Sequence, residues 1–528
     1  STPVLACFHP EASEVLSIPV VDRDSNTEVA VIAGNIGQNV ALKEINKDNG
    51  MYVYDTFTDE EGKEITSVDI NKGVTQKIYT TLADSSLIKK SEYDDNIAGD
   101  GTQESPYEIS SAAQLRYIRY EMEYNKSYMS ASYILNKDID MGESDIANFE
   151  PIGTMKNSFT GTFDGKGHSI SNLNIVNETE YTGLFGCVSG NVVIKDLTLH
   201  GKIDAGNSYV GSFVGFSDGT LRISGCHSDM DITTNGENYV GGIAGAEYKY
   251  EIRIDNCSFT GSIDSKTESE MTYYGGILGF TSNRNAYINN CYSDFVSKKG
   301  KAGDSCYAIA GYKNDYINAA NCYAADSNDW NIFNSSESVQ ERISTSDVFS
   351  GALAYKLMSD ENSMWSQELG VDAGPVTVTD KADITPVYQA AFCIGDSVVS
   401  TSYGNAGAQY EIPVYPEELQ DVAAASGWVN ADDSSDIVKP GDSKTLNGDV
   451  TYKLLYGNAE GYEACAGDGT EENPYKIANA ENLYWAVRMS NAYKEYASAS
   501  YILTSDIVLD KEISSWGNKD IPFAGRVN

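Results

Sequence analysis

The sequence has little positive charge and no long apolar run. Its 528 residues include 37 Lys and Arg against 77 Asp and Glu, which gives a formal net charge of −40. A surface with that field repels phosphate backbones and anionic lipid, so we expect no nucleic-acid partner and no peripheral membrane binding. No stretch is apolar over the length that a membrane helix needs, and we therefore expect no membrane insertion in this segment.

Histidine is also scarce, which removes most motifs that depend on paired imidazoles. His9, His168, His200 and His227 are the only four, and none pairs with another at the spacing of a metal site. Gly395-Asp396-Ser397 is similar to the nucleophile block of some esterases, but no histidine follows residue 227 to serve as its base. We interpret it as a turn between two strands, and we expect a segment without enzymatic activity or cofactor.

The nine cysteines do not form the pattern of a disulfide framework. Their number is odd, and four of them recur at a regular spacing of about thirty residues. No Cys-x-x-Cys pair accompanies them, so a zinc site is not indicated either. We expect buried free thiols that fill a column in the core.

What the chain has in abundance is repetition. A five-residue phrase that ends in glycine, such as Thr182-Gly183-Leu184-Phe185-Gly186, occurs five times. The final glycines are Gly186, Gly215, Gly245, Gly279 and Gly311, at spacings of 29, 30, 34 and 32 residues. A period of this length indicates stacked structural repeats.

A second short strip follows each phrase in register. It runs from an isoleucine to a residue three positions later, as in Ile194 and Leu197, Ile223 and Cys226, Ile254 and Cys257, and Ile288 and Cys291. The fifth strip is longer and runs from Ile317 to Cys322, which we interpret as an insertion. Two short strands per repeat, separated by turn residues, predict a parallel β-solenoid in which isoleucines and thiols form internal columns. Leu197 should then lie inside.

A large module begins twice. Residues 99–109 return as residues 467–477, 368 positions later. In the first copy Ser111 and Gln114 fit a capping box, and an amphipathic helix with Leu115, Ile118 and Met122 follows, which we expect to cover the open end of the solenoid. Residues 349–358 and 365–370 predict a short helix and an aromatic plug at the other end.

These observations predict five segments. They are a β-rich domain that ends a preceding module at 1–97, a parallel β-helix at 98–325, its C-terminal cap at 326–380, a compact β-rich domain around Trp428 at 381–462, and the start of a second β-helix module at 463–528. The last segment aligns with the start of the first module only as far as its first coil. We therefore expect the natural polypeptide to continue and this chain to be one monomeric unit of a longer protein.

The repeat region resembles the Gly-Leu-Phe-Gly type ("GLUG") repeats of large bacterial cell-surface proteins. The likeness covers roughly Gly99 to Pro375, recurs from Gly467, and includes Asp164-Gly165-Lys166-Gly167-His168 at the first coil. It implies an all-β fold, a right-handed parallel β-helix with an N-terminal capping helix, flanked by small β-rich domains of β-grasp or Ig-like type. The stretch from Phe392 to Tyr456 is similar to β-grasp-like repeats of Gram-positive surface proteins.

The same resemblance implies an extracellular location, secreted or attached to the cell wall or surface. The leading hypothesis is a non-enzymatic segment of a modular adhesin or stalk that presents loops to a host glycoprotein or a polysaccharide. Three alternatives stay open: a lyase or glycosidase on the same scaffold, a spacer without ligand, and the noncatalytic arm of a surface peptidase. No peptidase motif occurs in these residues.

Two kinds of side chain are candidates for binding. Strand alternation places Arg222 and Arg253 on the outer surface of adjacent coils, where they could grip an anionic sugar or pair with neighbouring carboxylates. Tyrosines in predicted turns could stack on sugars, anchor a protein partner, or stack within the wall. They are Tyr248 and Tyr250 after one repeat glycine, and Tyr312 and Tyr316 after another.

Two acidic clusters are candidates for structural calcium. One is Asp94-Asp95 with Asp100, and the other is Asp22 and Asp24 with Asn26. Neither completes an EF-hand loop, and solvated turns are the alternative interpretation.

Overall fold

The chain forms two compact units. The computed structural model describes residues 4–6, 15–23, 28–42, 54–71, 77–82, 93–143, 148–177, 179–206, 208–235, 238–265, 273–282, 285–296, 306–311, 317–325, 340–417, 427–455 and 461–528. The first unit comprises Ser1–Thr345, Ser359–Trp365 and Thr377–Asp383. The second comprises Ser346–Met358, Ser366–Val376 and Ile384–Asn528.

Parallel strands wound into a coil dominate the first unit. The larger of its two coil sheets has 18 strands: Tyr107–Ile109, Ser132–Leu135, Ile139–Asp140, Thr162–Asn177, Phe185–Ala205, Val214–Ser224, His227–Ser228, Asp231–Thr234, Ala244–Glu247, Ile252–Asp255, Ser258–Phe259, Ser262–Ser265, Leu278–Thr281, Ala286–Asn289, Tyr292–Ser293, Ile317–Ala320, Cys322–Ala325 and Gln340–Ile343. The smaller has five: Tyr181–Thr182, Ser208–Gly211, Asn238–Gly241, Tyr273–Gly275 and Cys306–Tyr307. The architecture is mostly β, with large parallel sheets of the β-helix kind.

Stacking places like side chains above one another. Ile194 lies opposite Ile223, which lies opposite Ile254, which in turn lies opposite Ile288. All four are fully buried, and so are Leu197, Cys226, Cys257, Cys291 and Cys322. The predicted columns of isoleucine and thiol are confirmed, with Leu197 inside as expected.

The fifth coil differs from the prediction. Ile288 lies opposite Ala319, whereas Ile317 lies opposite Ala286. Ala319 therefore occupies the isoleucine position, three residues before Cys322, and no residue is inserted. Ile317 lies two residues before Ala319 on the same strand, and it also faces inward because residues two apart on a strand face the same side.

Each coil turns between the isoleucine and the thiol through a residue in the left-handed region. These residues are Asp196, Gly225, Asn256, Asn290 and Asn321, with φ between 51° and 59°. That conformation is costly for most L-residues, but Gly, Asn and Asp adopt it readily. The local sequence therefore specifies the corner of the coil.

The helix Ala112–Tyr124 and the short helix Lys126–Met129 precede the first coil. Ser111 Oγ accepts the N–H of Gln114 at 3.1 Å, while Gln114 Oε1 accepts the N–H of Ser110 at 2.6 Å. In the predicted capping box Gln114 would accept the N–H of Ser111, whereas here it accepts the N–H of the preceding residue, Ser110. The apolar stripe Leu115, Ile118 and Met122 belongs to the same buried core as the coil.

Residues of the N-terminal stretch form a separate sheet within the first unit. Its five strands are Val4–Ala6, Val15–Asp22, Glu28–Asn35, Tyr54–Thr58 and Ile78–Leu82, and a further strand pair is Asn39–Ala41 with Ser67–Asp69. Ile18, Val20, Ile32 and Ile78 form part of its core.

Two short segments of the first unit, 359–365 and 377–383, lie along the corner of the coil, and we call them the strap. Trp365, which the sequence predicts as an end plug, lies instead on the side of the coil. Its Nε1 donates to the carbonyl of Asn290 at 2.7 Å, and its side chain is buried. Asn256 Oδ1 likewise accepts the N–H of Met364 at 3.1 Å. A side-chain amide at one corner and a main-chain carbonyl at the next therefore hold Met364 and Trp365 against the coil.

The second unit contains a mixed sheet around Trp428. Its strands are Tyr388–Ile394, Ser397–Gly404, Gly427–Asn430, Ile437–Val438 and Val450–Leu455. The strands Ala408–Glu411 and Ser443–Leu446 form a separate two-stranded sheet. Trp428 is fully buried against Phe392, with ring centroids 5.3 Å apart. The other short elements of the chain are the helices Thr345–Ser350 and Ala352–Leu357, the 3-10 turns Met141–Glu143 and Lys381–Asp383, and the strands Trp365–Ser366 and Val376–Thr377.

The repeated module begins in the same way twice. Tyr107 lies opposite Tyr133 in the first unit, and Tyr475 lies opposite Tyr501 in the second, at the 368-residue offset. The second copy has the strands Tyr475–Ile477, Ser500–Leu503 and Arg526–Val527, and the helices Ala480–Ala492 and Lys494–Ser498. In the parts of the chain that the structure describes, no helix combines the length and apolarity needed to cross a bilayer.

Candidate binding surface

Three outward side chains follow one another along the coil, and we call them the outer strand face: Arg222, Arg253 and Tyr287. Arg222 lies opposite Arg253, and Arg253 lies opposite Tyr287. Each precedes a buried isoleucine of the internal column, so strand alternation turns it outward. The side chains of Arg222 and Arg253 are 59% and 38% exposed. The structure thus brings the two predicted arginines together on adjacent coils.

Tyr287 completes this face and is not among the residues that the sequence predicts for binding. The Cζ atom of Arg253 lies 4.8 Å from the centre of the Tyr287 ring, which is the geometry of a cation–π contact. The signal was available in the sequence, because Tyr287 stands immediately before Ile288 just as Arg253 stands before Ile254.

Carboxylates balance the two guanidinium groups. Glu251 Oε1 lies 3.8 Å from the nearest nitrogen of both Arg222 and Arg253. Asp255 lies on the strand Ile252–Asp255, which also carries Arg253. Burial raises the pKa of Asp255, while a 2.7 Å hydrogen bond from Asn289 Nδ2 and the charge of Arg253 oppose that rise. The outer strand face is therefore mixed in charge, with donors and acceptors side by side.

A turn at residues 247–251 borders this face, and a buried carboxylate organises it. Glu247 is fully buried, and its Oε1 accepts the main-chain N–H groups of Lys249 and Tyr250. Its Oε2 accepts the hydroxyl of Thr281 in the next coil at 3.2 Å. Burial raises the pKa of Glu247, and these hydrogen bonds oppose the rise. The turn leaves Tyr250 47% exposed.

A second column, the tyrosine ladder, stands on the smaller sheet. Its rings stack at centroid distances of 5.4, 5.3 and 5.3 Å, in the order Tyr181, Tyr209, Tyr239 and Tyr273. Strand register places each opposite the next. Because stacking covers the ring faces, the ladder presents mainly ring edges. Each tyrosine precedes the first glycine of a repeat phrase by two residues, a regularity that sequence reasoning missed.

The four candidate tyrosines have different surroundings. Tyr248 packs on the ladder, with its hydroxyl 3.1 Å from that of Tyr209 and its ring 5.2 Å from Phe280, and burial raises its pKa. It is thus part of the wall, as the alternative interpretation has it. Tyr250 remains exposed on the turn. Tyr312 and Tyr316 lie outside the described residues.

His227 is the histidine whose surroundings invite a chemical interpretation. Its Nδ1 lies 2.8 Å from Ser258 Oγ, and its Nε2 lies 2.6 Å from Thr377 Oγ1 of the strap. Burial lowers the pKa of the imidazole to about 4. An imidazole with so low a pKa is a weak base for activating serine at neutral pH. The ring also packs against Trp365, 5.3 Å away, so we interpret it as an anchor for the strap.

The remaining candidates for chemistry are turns and buried thiols. Asp396 lies in the hairpin between Tyr388–Ile394 and Ser397–Gly404, where its N–H donates to Glu495 at 2.5 Å. Asp94 and Asp100 each accept a main-chain N–H two residues later, as turn residues do; Asp24 and Asn26 lie outside the described residues. Seven described cysteines are free and buried. Within the described ranges no three His, Cys, Asp or Glu side chains are grouped to hold a metal.

Comparison with known sequences gives two partial likenesses. No protein-family model matches the sequence. A stretch of 155 residues, 28% of the chain, is 34% identical to halomucin from Haloquadratum walsbyi and covers 2% of it. A stretch of 133 residues, 23% of the chain, is 32% identical to the "Putative Gly-rich membrane protein" of Evansella cellulosilytica and covers 14% of it. The chain therefore spans a small part of either relative.

Solved structures give two distant likenesses. A "putative immunoglobulin A1 protease" from Bacteroides ovatus is 20% identical, with a TM-score of 0.39 over 53% of this chain and 94% of that chain. An "IgA1 Protease" is 14% identical, with a TM-score of 0.33 over 56% of this chain and 25% of that chain. At these TM-scores the likenesses establish neither a shared fold nor a shared activity.

Proposed function

We propose that the chain is a non-enzymatic, extracellular segment of a modular bacterial surface protein of the GLUG-repeat type, and that it binds glycan. In this proposal a right-handed parallel β-helix is the rigid scaffold, and the helix Ala112–Tyr124 caps its first coil. Small β-grasp-like domains flank it. The glycan belongs to a host glycoprotein or a polysaccharide.

The observation that carries the proposal is the outer strand face. Arg222, Arg253 and Tyr287 are in direct register on three coils, and both guanidinium groups reach solvent. An aromatic ring beside guanidinium and carboxylate groups offers an apolar contact together with hydrogen-bond donors and acceptors, a combination that suits sugar rings and their hydroxyls. Regular strands hold these groups more rigidly than loops would.

The absence of catalysis is part of the proposal and has its own support. His227, which approaches a serine, is a weak base with a pKa of about 4 and lies beneath the strap. A lyase or glycosidase on this scaffold would instead use carboxylates on the coil. Incubation with polysaccharides, followed by detection of new reducing ends or unsaturated sugars, separates the two: accumulating product would contradict the proposal.

Binding is tested with the whole chain on arrays of glycoproteins and polysaccharides. We expect at least one glycan to bind, and Arg253→Ala with Tyr287→Ala to weaken it by tenfold or more, corresponding to about 1.4 kcal/mol. Lys202→Ala is the matched control, since Lys202 is an exposed cation on another strand of the coil. An array without any bound glycan, or equal binding by both variants, would show that the proposal is wrong.

A further inference from the structure

We propose that the ligand of the outer strand face is an uncharged, extended polysaccharide that lies along the coil axis, with successive sugar units on successive coils. This inference rests on the proposed function and gives it a substrate class and an orientation.

The orientation follows from strand register. The column continues beyond Tyr287 to the exposed Asn318, which lies opposite it in the next coil. Four outward side chains, from Arg222 to Asn318, therefore repeat at the spacing of hydrogen-bonded strands, about 4.8 Å. A pyranose unit in an extended chain advances by a comparable length. A ligand parallel to the axis can meet one side chain with each unit, whereas a ligand across the axis meets one coil.

The borders of the face favour the same direction. The strand Ile252–Asp255 carries Arg253, and the turn at residues 247–251 precedes it. The corner residue Asn256 follows it and binds the strap, since its Oδ1 accepts the N–H of Met364 and its Nδ2 lies 3.4 Å from the carbonyl of Asn362. The turn therefore lies at one end of the strand that carries Arg253, and the strap lies at the other end. Along the coil axis, by contrast, the column of outward side chains continues from coil to coil.

The charge balance favours an uncharged polymer. Glu251 lies between the two arginines at 3.8 Å from each, and Asp255 adds a second carboxylate on the strand that carries Arg253. The chain as a whole has a formal net charge of −40. A polyuronate would meet this field and these carboxylates, whereas sugar hydroxyls can donate to the carboxylates and accept from the guanidinium groups.

Length dependence of binding is the test. The whole chain is titrated calorimetrically with neutral, linear gluco- and manno-oligosaccharides of increasing length, and with oligouronates of matched length. We expect the affinity for neutral chains to rise by roughly three- to tenfold per unit, as one net hydrogen bond gives, and to level off at the four coils of the column. Oligouronates should bind more weakly.

Variants at the end and centre of the column make the test specific. Asn318→Ala should shorten the plateau by one unit and leave the shortest chains unaffected, while Arg253→Ala should weaken chains of every length. Affinity independent of length, tighter binding of oligouronates, or the same effect of both variants at all lengths would overturn the inference while leaving glycan binding intact. Failure of every oligosaccharide and polysaccharide to bind would instead overturn the proposed function.

Discussion

His227 Nε2 lies 2.6 Å from the hydroxyl of Thr377, 150 residues further along the chain. The other ring nitrogen bonds Ser258 of the next coil at 2.8 Å. One side chain therefore joins two coils and the strap. Because one nitrogen of a neutral imidazole donates and the other accepts, a hydroxyl suits each side. This relationship makes the attachment of the strap sensitive to protonation.

Acidification should destabilise the first unit through His227. Its pKa is lowered from 6.5 to about 4 by burial. Between these values the unfolded chain binds a proton that the folded chain does not, so the free energy of unfolding falls as the pH drops from 6.5, by up to about 3 kcal/mol. Urea titrations across this range should show a flatter pH dependence for His227→Gln. His200→Gln, at a 42% exposed site, is the control for the substitution itself and should retain the pH dependence that His227 causes.

Glu247 should have the opposite pH dependence. Burial raises the pKa of this carboxyl above its ordinary value of 4.5. As the pH rises from 4.5 through the folded-state pKa, unfolding releases a proton, so the contribution of Glu247 to the free energy of unfolding decreases. Glu247→Gln keeps an acceptor for the turn amides and removes this dependence. Unfolding curves of the two proteins should diverge with rising pH, and parallel curves would contradict the assignment.

Loss of the Glu247 carboxyl should loosen the turn locally. Glu247→Ala leaves the N–H groups of Lys249 and Tyr250 without their present acceptor, so hydrogen exchange at these amides should accelerate by about tenfold, corresponding to one net hydrogen bond. Glu247→Gln is the matched control and should retain protection. Mass spectrometry of peptides spanning residues 247–251 measures the difference, and equal exchange in all three proteins would show that the carboxyl does not hold the turn.

Gly242→Ala should disrupt the stacking of coils. A methyl group at this position would lie 2.1 Å from the carbonyl oxygen of Gly276 and 2.2 Å from the ring of Phe259. Both neighbours belong to packed coils, so we expect a loss of about 1–3 kcal/mol in the free energy of unfolding. Gly448→Ala is the control, because no atom lies within 4 Å of its methyl position. Similar melting temperatures for both variants would contradict the close packing.

The thiol column should be inert in the folded protein. Burial raises the pKa of Cys257, Cys291 and Cys322, and the reactive species is the thiolate. Iodoacetamide should therefore leave peptides with these residues unmodified under native conditions and label them fully in denaturant. Native labelling at the rate of an exposed thiol would contradict the internal column.

The coil could be predicted because its information is local and repeated. Each repeat has an apolar strand beside Gly, Asn or Asp, and each coil meets a near copy of itself, so the same spacing specifies both the strand and its neighbour. The columns around Ile223 and Cys226 follow from this. In the fifth coil the apolar pattern predicts Ile317 at the isoleucine position, and this prediction is wrong because Ala319 lies there.

The contacts that build the site depend on more than the repeat. Sequence periodicity placed Arg222 beside Arg253, yet the neutralising position of Glu251 follows from a turn that a buried carboxylate shapes. Trp365 was expected at an end and lies on the side, since its partner Asn290 becomes available only once the coils have stacked. By itself, then, the sequence determined the stacked coils, their inward columns and their corners. Only the tertiary structure decided the strap, the turn and the charge balance of the outer strand face. The strap joins residues 108 and 150 positions apart. The turn depends on a carboxylate that the next coil helps to bury, and Glu251 reaches Arg222 only through the stacking of coils, so no short-range spacing encodes either.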